Sequence, residues 1–201
     1  MYMRDGKGYA GWMMAVGMAA AFTASAQFNP LSIVGGAVTT AMDVRSKEEV
    51  KNDTEISVSA NKRLIDDKRA EWSGVTLLVF ARHVVLAGAV KTDDAKRIVA
   101  DVVRTDQRIR SLTNDLAVIK KAGDDGSLVK DKTIDAKINA ALTAAKGIGS
   151  VNMRWKTVNG NVVLMGAAQS KDEAQLAVAK IRELDGVKSV KSHLRIVPRK
   201  G

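Results

Sequence analysis

The sequence predicts an α+β protein of two tandem small αββαβ domains, each a three-stranded sheet with two helices on one face. Three observations predict it. The first is a repeat: residues from about Asp53 to Val118 superimpose without a gap at a constant offset of 78, so that Val84 meets Val162. The run Val84-Val85-Leu86-Ala87-Gly88-Ala89 returns as Val162-Val163-Leu164-Met165-Gly166-Ala167, and Ile56, Asn61, Leu64, Asp94, Arg104, Ser111 and Leu116 meet identical residues. The second is the apolar period, which changes from helical to alternating in the same order in both copies. The third is turn chemistry, clearest at Asn159-Gly160.

The second copy justifies each element. Ile134, Ile138, Ala141, Leu142 and Ala145 follow helical spacing. Val151, Met153 and Trp155 then alternate with Asn152, Arg154 and Lys156, the pattern of a half-buried strand. Asn159-Gly160 suits a two-residue hairpin because both central residues need positive φ, and Val162 to Gly166 is the partner strand. Ser170 caps a helix carrying Leu176, Ala177, Val178, Ala179 and Ile181, with Gly186 suited to a left-handed cap at its end. Val190 to Val197 forms the last strand, stopped by Pro198. In the first copy Ala81-Arg82-His83 stands at the hairpin and Arg108 at the place of Gly186. Gly88 and Gly166 fall just after the second strand, where a tight exit or a close backbone approach is expected.

Around these copies the chain divides further. Arg4 and Lys7 precede an apolar run from Trp12 to Phe22, too short to span a bilayer, which closes on Ala24-Ser25-Ala26. Residues 1–26 are expected to be a secretory signal cleaved after Ala26, the alternative being an uncleaved anchor, and the protein is expected outside the cytoplasm. Residues 27–52 form a leader, 53–121 the first domain, 122–129 a glycine-bearing linker and 130–198 the second domain. There is no cysteine. Disulfides, thiolate metal sites and an acylated cysteine are therefore all excluded, and stability must come from the cores, with packing of one domain on the other left open as a second source.

Charge is uneven. The net charge is +10, and residues from Lys130 onward hold 14 Lys+Arg against 6 Asp+Glu, so the basic character belongs to the second copy. A two-residue loop at Asn159-Gly160 sets Trp155 opposite Leu164 on the helix-covered side of the sheet. Arg154 and Lys156 then point away, together with Lys191, His193 and Arg195 of the last strand. These five are expected to form a basic patch on an open face, which either meets anionic headgroups or serves to discourage strand-to-strand aggregation. The equivalent face of the first copy carries Thr76, Leu78, Thr113, Asp115 and Ala117, with Phe80 at its rim, and is expected to pack on a partner or on the other domain. A second cationic surface is the outer face of the second copy's first helix, with Lys132 and Lys137 but no bulky apolar residue.

Three stretches resemble the BON domain family (bacterial OsmY and nodulation): the strand ending Val-Val-Leu-x-Gly, the helix opened by Ser170-Lys171-Asp172-Glu173-Ala174, and Leu184-Asp185-Gly186-Val187-Lys188-Ser189-Val190. Ile33-Val34-Gly35-Gly36-Ala37-Val38 followed by Asp43-Val44-Arg45-Ser46 is similar to the leader of the DolP-type members. The resemblance implies a non-enzymatic periplasmic module that binds phospholipid at the outer membrane or another membrane surface and supports envelope integrity or osmotic stress tolerance. It leaves open a chaperone-like or protein-interaction role with envelope proteins. The lipid-modified cysteine of the DolP type is missing, and Thr133 stands where an aromatic residue would meet the bilayer.

Other classes are disfavoured by the residues present. No nucleophile–base pair, HExxH or phosphate-binding glycine loop stands out, and no cofactor is expected. With two histidines, a histidine metal site is not expected either. Nucleic acid would find charge but no stacking aromatics on the open face. The oligomeric state is left open.

Overall fold

The computed structural model describes residues 43–121, 123 and 126–198. The expected signal, most of the expected leader and the centre of the linker lie outside the described residues. Helix α1 spans Lys47–Asp66, β1 Val75–Phe80, β2 His83–Val90 and α2 Asp93–Arg104. The third strand of this half is split into β3 Ser111–Asn114 and β4 Ala117–Val118. The second half repeats the order with α3 Leu128–Ala144, β5 Met153–Val158, β6 Asn161–Ala168, α4 Lys171–Arg182 and β7 Ser189–Ile196.

Both helices of each half start at side-chain caps. Ser46 and Glu49 form a reciprocal capping box, so α1 begins inside the segment expected to be leader. Ser127 accepts from the Lys130 N–H and starts α3 at Leu128, inside the expected linker. In each sheet the second strand is central. It pairs antiparallel with the first and parallel with the third, with His83 opposite Ser111 and Asn161 opposite Ser189. The first half's third strand is broken where the Asn114 side chain accepts the Leu116 N–H at 3.3 Å and so withdraws it from the ladder.

Helices cover one face of each sheet. Ile56, Leu64, Leu86 and Val99 centre the first core, and Ile138, Leu142, Trp155, Leu164 and Ile181 the second. The other faces meet each other. Leu78, Phe80, Val85 and Ala87 pack with Met165 and Ala167 in a third buried cluster joining the halves. Burying several large apolar side chains at about 1.5–3 kcal/mol each makes this a strong joint.

Two turns hold the hairpins to the helices. At Asn159-Gly160 both residues have positive φ, and the Asp131 carboxylate accepts their two N–H groups at 2.8 and 3.0 Å. The first hairpin's turn is also two residues, Ala81-Arg82, with φ of 50° and 64°, and His83 already belongs to β2. Left-handed backbone costs an ordinary L-residue about 1–2 kcal/mol. Asp53, the repeat equivalent of Asp131, compensates by accepting from Ala81 and Arg82 at 2.8 and 2.7 Å.

Candidate functional site

The register places Trp155 opposite Leu164, Lys156 opposite Val163 and Arg154 opposite Met165, as the turn predicts. The face that carries Arg154 is nevertheless not open, because the first half's sheet lies across it. Arg154 donates from Nη1 to the Val151 and Met153 carbonyls at 2.8 Å each and sits 6.0 Å from the Phe80 ring centre. Burial, reinforced by the Arg45 charge, pushes its guanidinium down to about 10. Lys156 is half-buried.

The last-strand cations are drawn into the joint in the same way. Asp115 is 4% exposed at its side chain and accepts from Lys191 Nζ and His193 Nε2, both at 2.5 Å. Burial raises the Asp115 carboxyl, but the hydrogen bonds from Lys191 and His193 outweigh it and hold it below the ordinary carboxylate range. Asp115 and His193 are equivalent positions of the repeat, 78 apart, and they meet each other. That is the contact expected where two copies pack across an approximate twofold axis. Arg195 contacts His83 across the same joint. The expected open basic patch is thus corrected: Arg154, Lys191, His193 and Arg195 all make contacts at the joint. Lys191 and Arg195 keep exposed side chains at its rim.

A strap ahead of α1 adds to this joint. Val44 donates its N–H to Asn152 Oδ1 of the second half at 2.9 Å. Arg45 is bound by the Asp43 and Asp53 carboxylates at 2.6 and 2.8 Å, with its guanidinium 4.5 Å from the Phe80 ring centre. Burial works against its charge, and the two carboxylates overcome that and raise its pKa. Sequence reasoning did not single out Asp53, Asp131 or Arg45. The available signal was a carboxylate on the apolar stripe, three residues before Ile56 and Ile134.

The glycines take distinct places. Gly88 and Gly166 lie within the second strands rather than beyond them, with φ of 114° and 131°. A Cβ there would come 2.0 Å from the Gly74 or Asn152 carbonyl oxygen, so close backbone approach is the correct one of the two expected reasons. Gly160 fills its turn as predicted. Gly186 is not the helix cap: α4 ends at Arg182 with Glu183 as a right-handed cap, and Gly186 serves the turn closed by the Val187 N–H on the Leu184 carbonyl.

Elsewhere one exposed surface combines apolar and cationic groups. Because α3 starts at Leu128, its first turn presents Leu128 at 64% and Val129 at 75% exposure. Lys130 and Lys132 are exposed beside them, while Lys137 is tied to Asp185 at 3.4 Å. The expectation that this helix lacks bulky exposed apolar groups is therefore corrected. Among the described residues no helix is long and apolar enough to cross a membrane.

Comparison with known proteins identifies the second half. Residues 130–198 match the BON domain, so the second half of the chain is a BON domain. It is 34% identical over 146 residues to an uncharacterised protein in the gshII 5′ region of Anaplasma centrale, covering 72% of this chain and 95% of that protein. It is 24% identical over 145 residues to osmotically-inducible protein Y of Escherichia coli K12, covering 72% of each chain. Both alignments are too long for the second half alone and so extend into the first. Among solved structures it is similar to CdsD, a structural protein of the type III secretion system of Chlamydia trachomatis, at TM-score 0.31 and 16% identity over 74% of this chain and 65% of that one.

Proposed function

We propose that both halves are BON domains and that the protein works outside the cytoplasm as a binding module on anionic membrane surfaces, touching them with the tip of α3. One observation carries this: Leu128 and Val129 are exposed next to Lys130 and Lys132 on a single helical turn. The apolar pair can enter the headgroup boundary while the lysines meet phosphate. Each lysine near an anionic surface contributes about 1 kcal/mol, and each side chain buried in the boundary up to about 1.5–3 kcal/mol. Arg195 at the rim of the joint adds long-range attraction that salt screens within about 10 Å at 0.1 M, while the charge of Lys191 is balanced by Asp115.

The BON resemblance, with its phospholipid-binding members, supports the class of ligand. The matched strand order and register of the two halves support the tandem arrangement. The relative described as osmotically inducible supports a place in envelope stress. No catalytic step is assigned. The test is co-sedimentation of the protein from Gln27 onward with phosphatidylcholine vesicles and with vesicles containing phosphatidylglycerol or cardiolipin, at low and high salt. Binding to anionic vesicles alone, lost in Leu128→Asp with Val129→Asp, is the expected result. No binding in any condition sinks the membrane reading and favours an envelope protein as partner.

A further inference from the structure

The chain has two histidines, and both lie at the joint between the halves, facing opposite charges. His193 meets the Asp115 carboxylate. His83, at the start of β2, receives Arg195 Nη1 on its Nε2. A guanidinium can only donate, so Nε2 must be the acceptor. The ring proton then sits on Nδ1 and donates to Ser111 Oγ at 2.5 Å. The Arg195 contact therefore exists only while His83 is neutral. The other charges that bear on the ring are Arg110, just before β3, and Asp53 of α1.

We propose that His83 is an acid-sensitive release at this edge of the joint: a proton on its imidazole removes the acceptor for Arg195 and opposes two cations across the halves. Burial, then Arg195, then Arg110 hold the ring below the ordinary histidine value of 6.5, with Asp53 acting the other way. A group with a lower pKa in the closed state favours closure above the open-state value, and that contribution is lost as pH falls through the closed-state value. The neighbouring contacts do not respond alike. His193 donates from Nε2 whether neutral or protonated. Asp115 is held below the ordinary carboxylate range and stays ionised. Of the two histidine contacts at the joint, only the one between Arg195 and His83 loses its acceptor when the ring gains a proton. The repeat equivalent of His83 is Asn161, so the response is one-sided.

The test is NMR of the chain from Gln27 onward between about pH 7.5 and 5. The His83 Cε1–H resonance should titrate below 6.5 and move upward in Arg195→Ala. The Ala87 and Ala167 methyls at the joint should shift with the His83 midpoint, while Ala100 and Ala177 in the two separate cores stay still. His83→Asn should keep the fold and abolish the joint response. A His83 midpoint at or above 6.5, joint methyls that ignore it, or an unchanged response in His83→Asn would each overturn the proposal.

Discussion

The two halves solve one folding problem with different residues. Each must hold a tight hairpin against its first helix, and each does so with a buried aspartate that accepts two turn N–H groups. The second half uses Asn159-Gly160, residues suited to positive φ. The first half uses Ala81-Arg82, which resist that backbone, and its Asp53 also holds Arg45. Asp106 is buried with Ser59 and Arg108, at the position where the second half has Leu184 in its core. The first half is thus held by ion pairs where the second relies on turn chemistry and apolar packing.

Where the backbone is shared, the halves should respond alike. Gly88→Ala and Gly166→Ala each drive a Cβ into a carbonyl oxygen at 2.0 Å with φ positive, and each should cost about 3–5 kcal/mol in urea unfolding. Tolerance of either would break the equivalence. Where the halves diverge, Asp53→Ala should exceed Asp131→Ala, at about 3–5 against about 2–3 kcal/mol, because it also strands Arg45. Equal losses would mean that the strap adds nothing.

Acid should separate the halves. Hydrogen bonding to Arg108 holds the Asp106 carboxyl far below the ordinary carboxylate range. A carboxylate with a depressed folded value stabilises above its unfolded value of about 3.9 and loses that contribution as pH falls through the folded value. Below pH of about 4 the amide signals of α1 and α2 should therefore broaden before those of α3 and α4. Arg82→Gly should change the stability of the first half by no more than about 1 kcal/mol, read from the urea midpoint, since glycine accepts positive φ but loses the Arg82 Nε hydrogen bond to the Arg108 carbonyl at 2.6 Å. Smallest is Trp155→Phe, which removes a buried indole N–H with no hydrogen-bond partner. The desolvation it relieves and the ring volume it loses nearly cancel, so unfolding should change by less than about 1 kcal/mol.

Much of the fold was legible because its signals are local. The Asn159-Gly160 turn set the register of β5 and β6, and the side of the sheet taken by Trp155 and Leu164 followed by parity. The first hairpin was less legible because its support comes from Asp53, 29 residues from Arg82. The start of α3 was missed because Leu128 and Val129 lie off its core stripe and read as linker. The side of the basic residues was correct, but what covers it was not legible. That depends on Phe80 and Leu78 of the other half meeting Met165 and Ala167, a contact no local pattern encodes.

The closure of the two sheet faces on each other is the claim on which the site assignment turns. Methyl-labelled protein in a nuclear Overhauser experiment reads it directly. Cross-peaks joining Leu78, Val85 and Ala87 to Met165 and Ala167 are the result expected from the structure. Their absence, with the contacts inside each half intact, would contradict the joint. It would also return Arg154, Lys156, Lys191, His193 and Arg195 to an open, basic face.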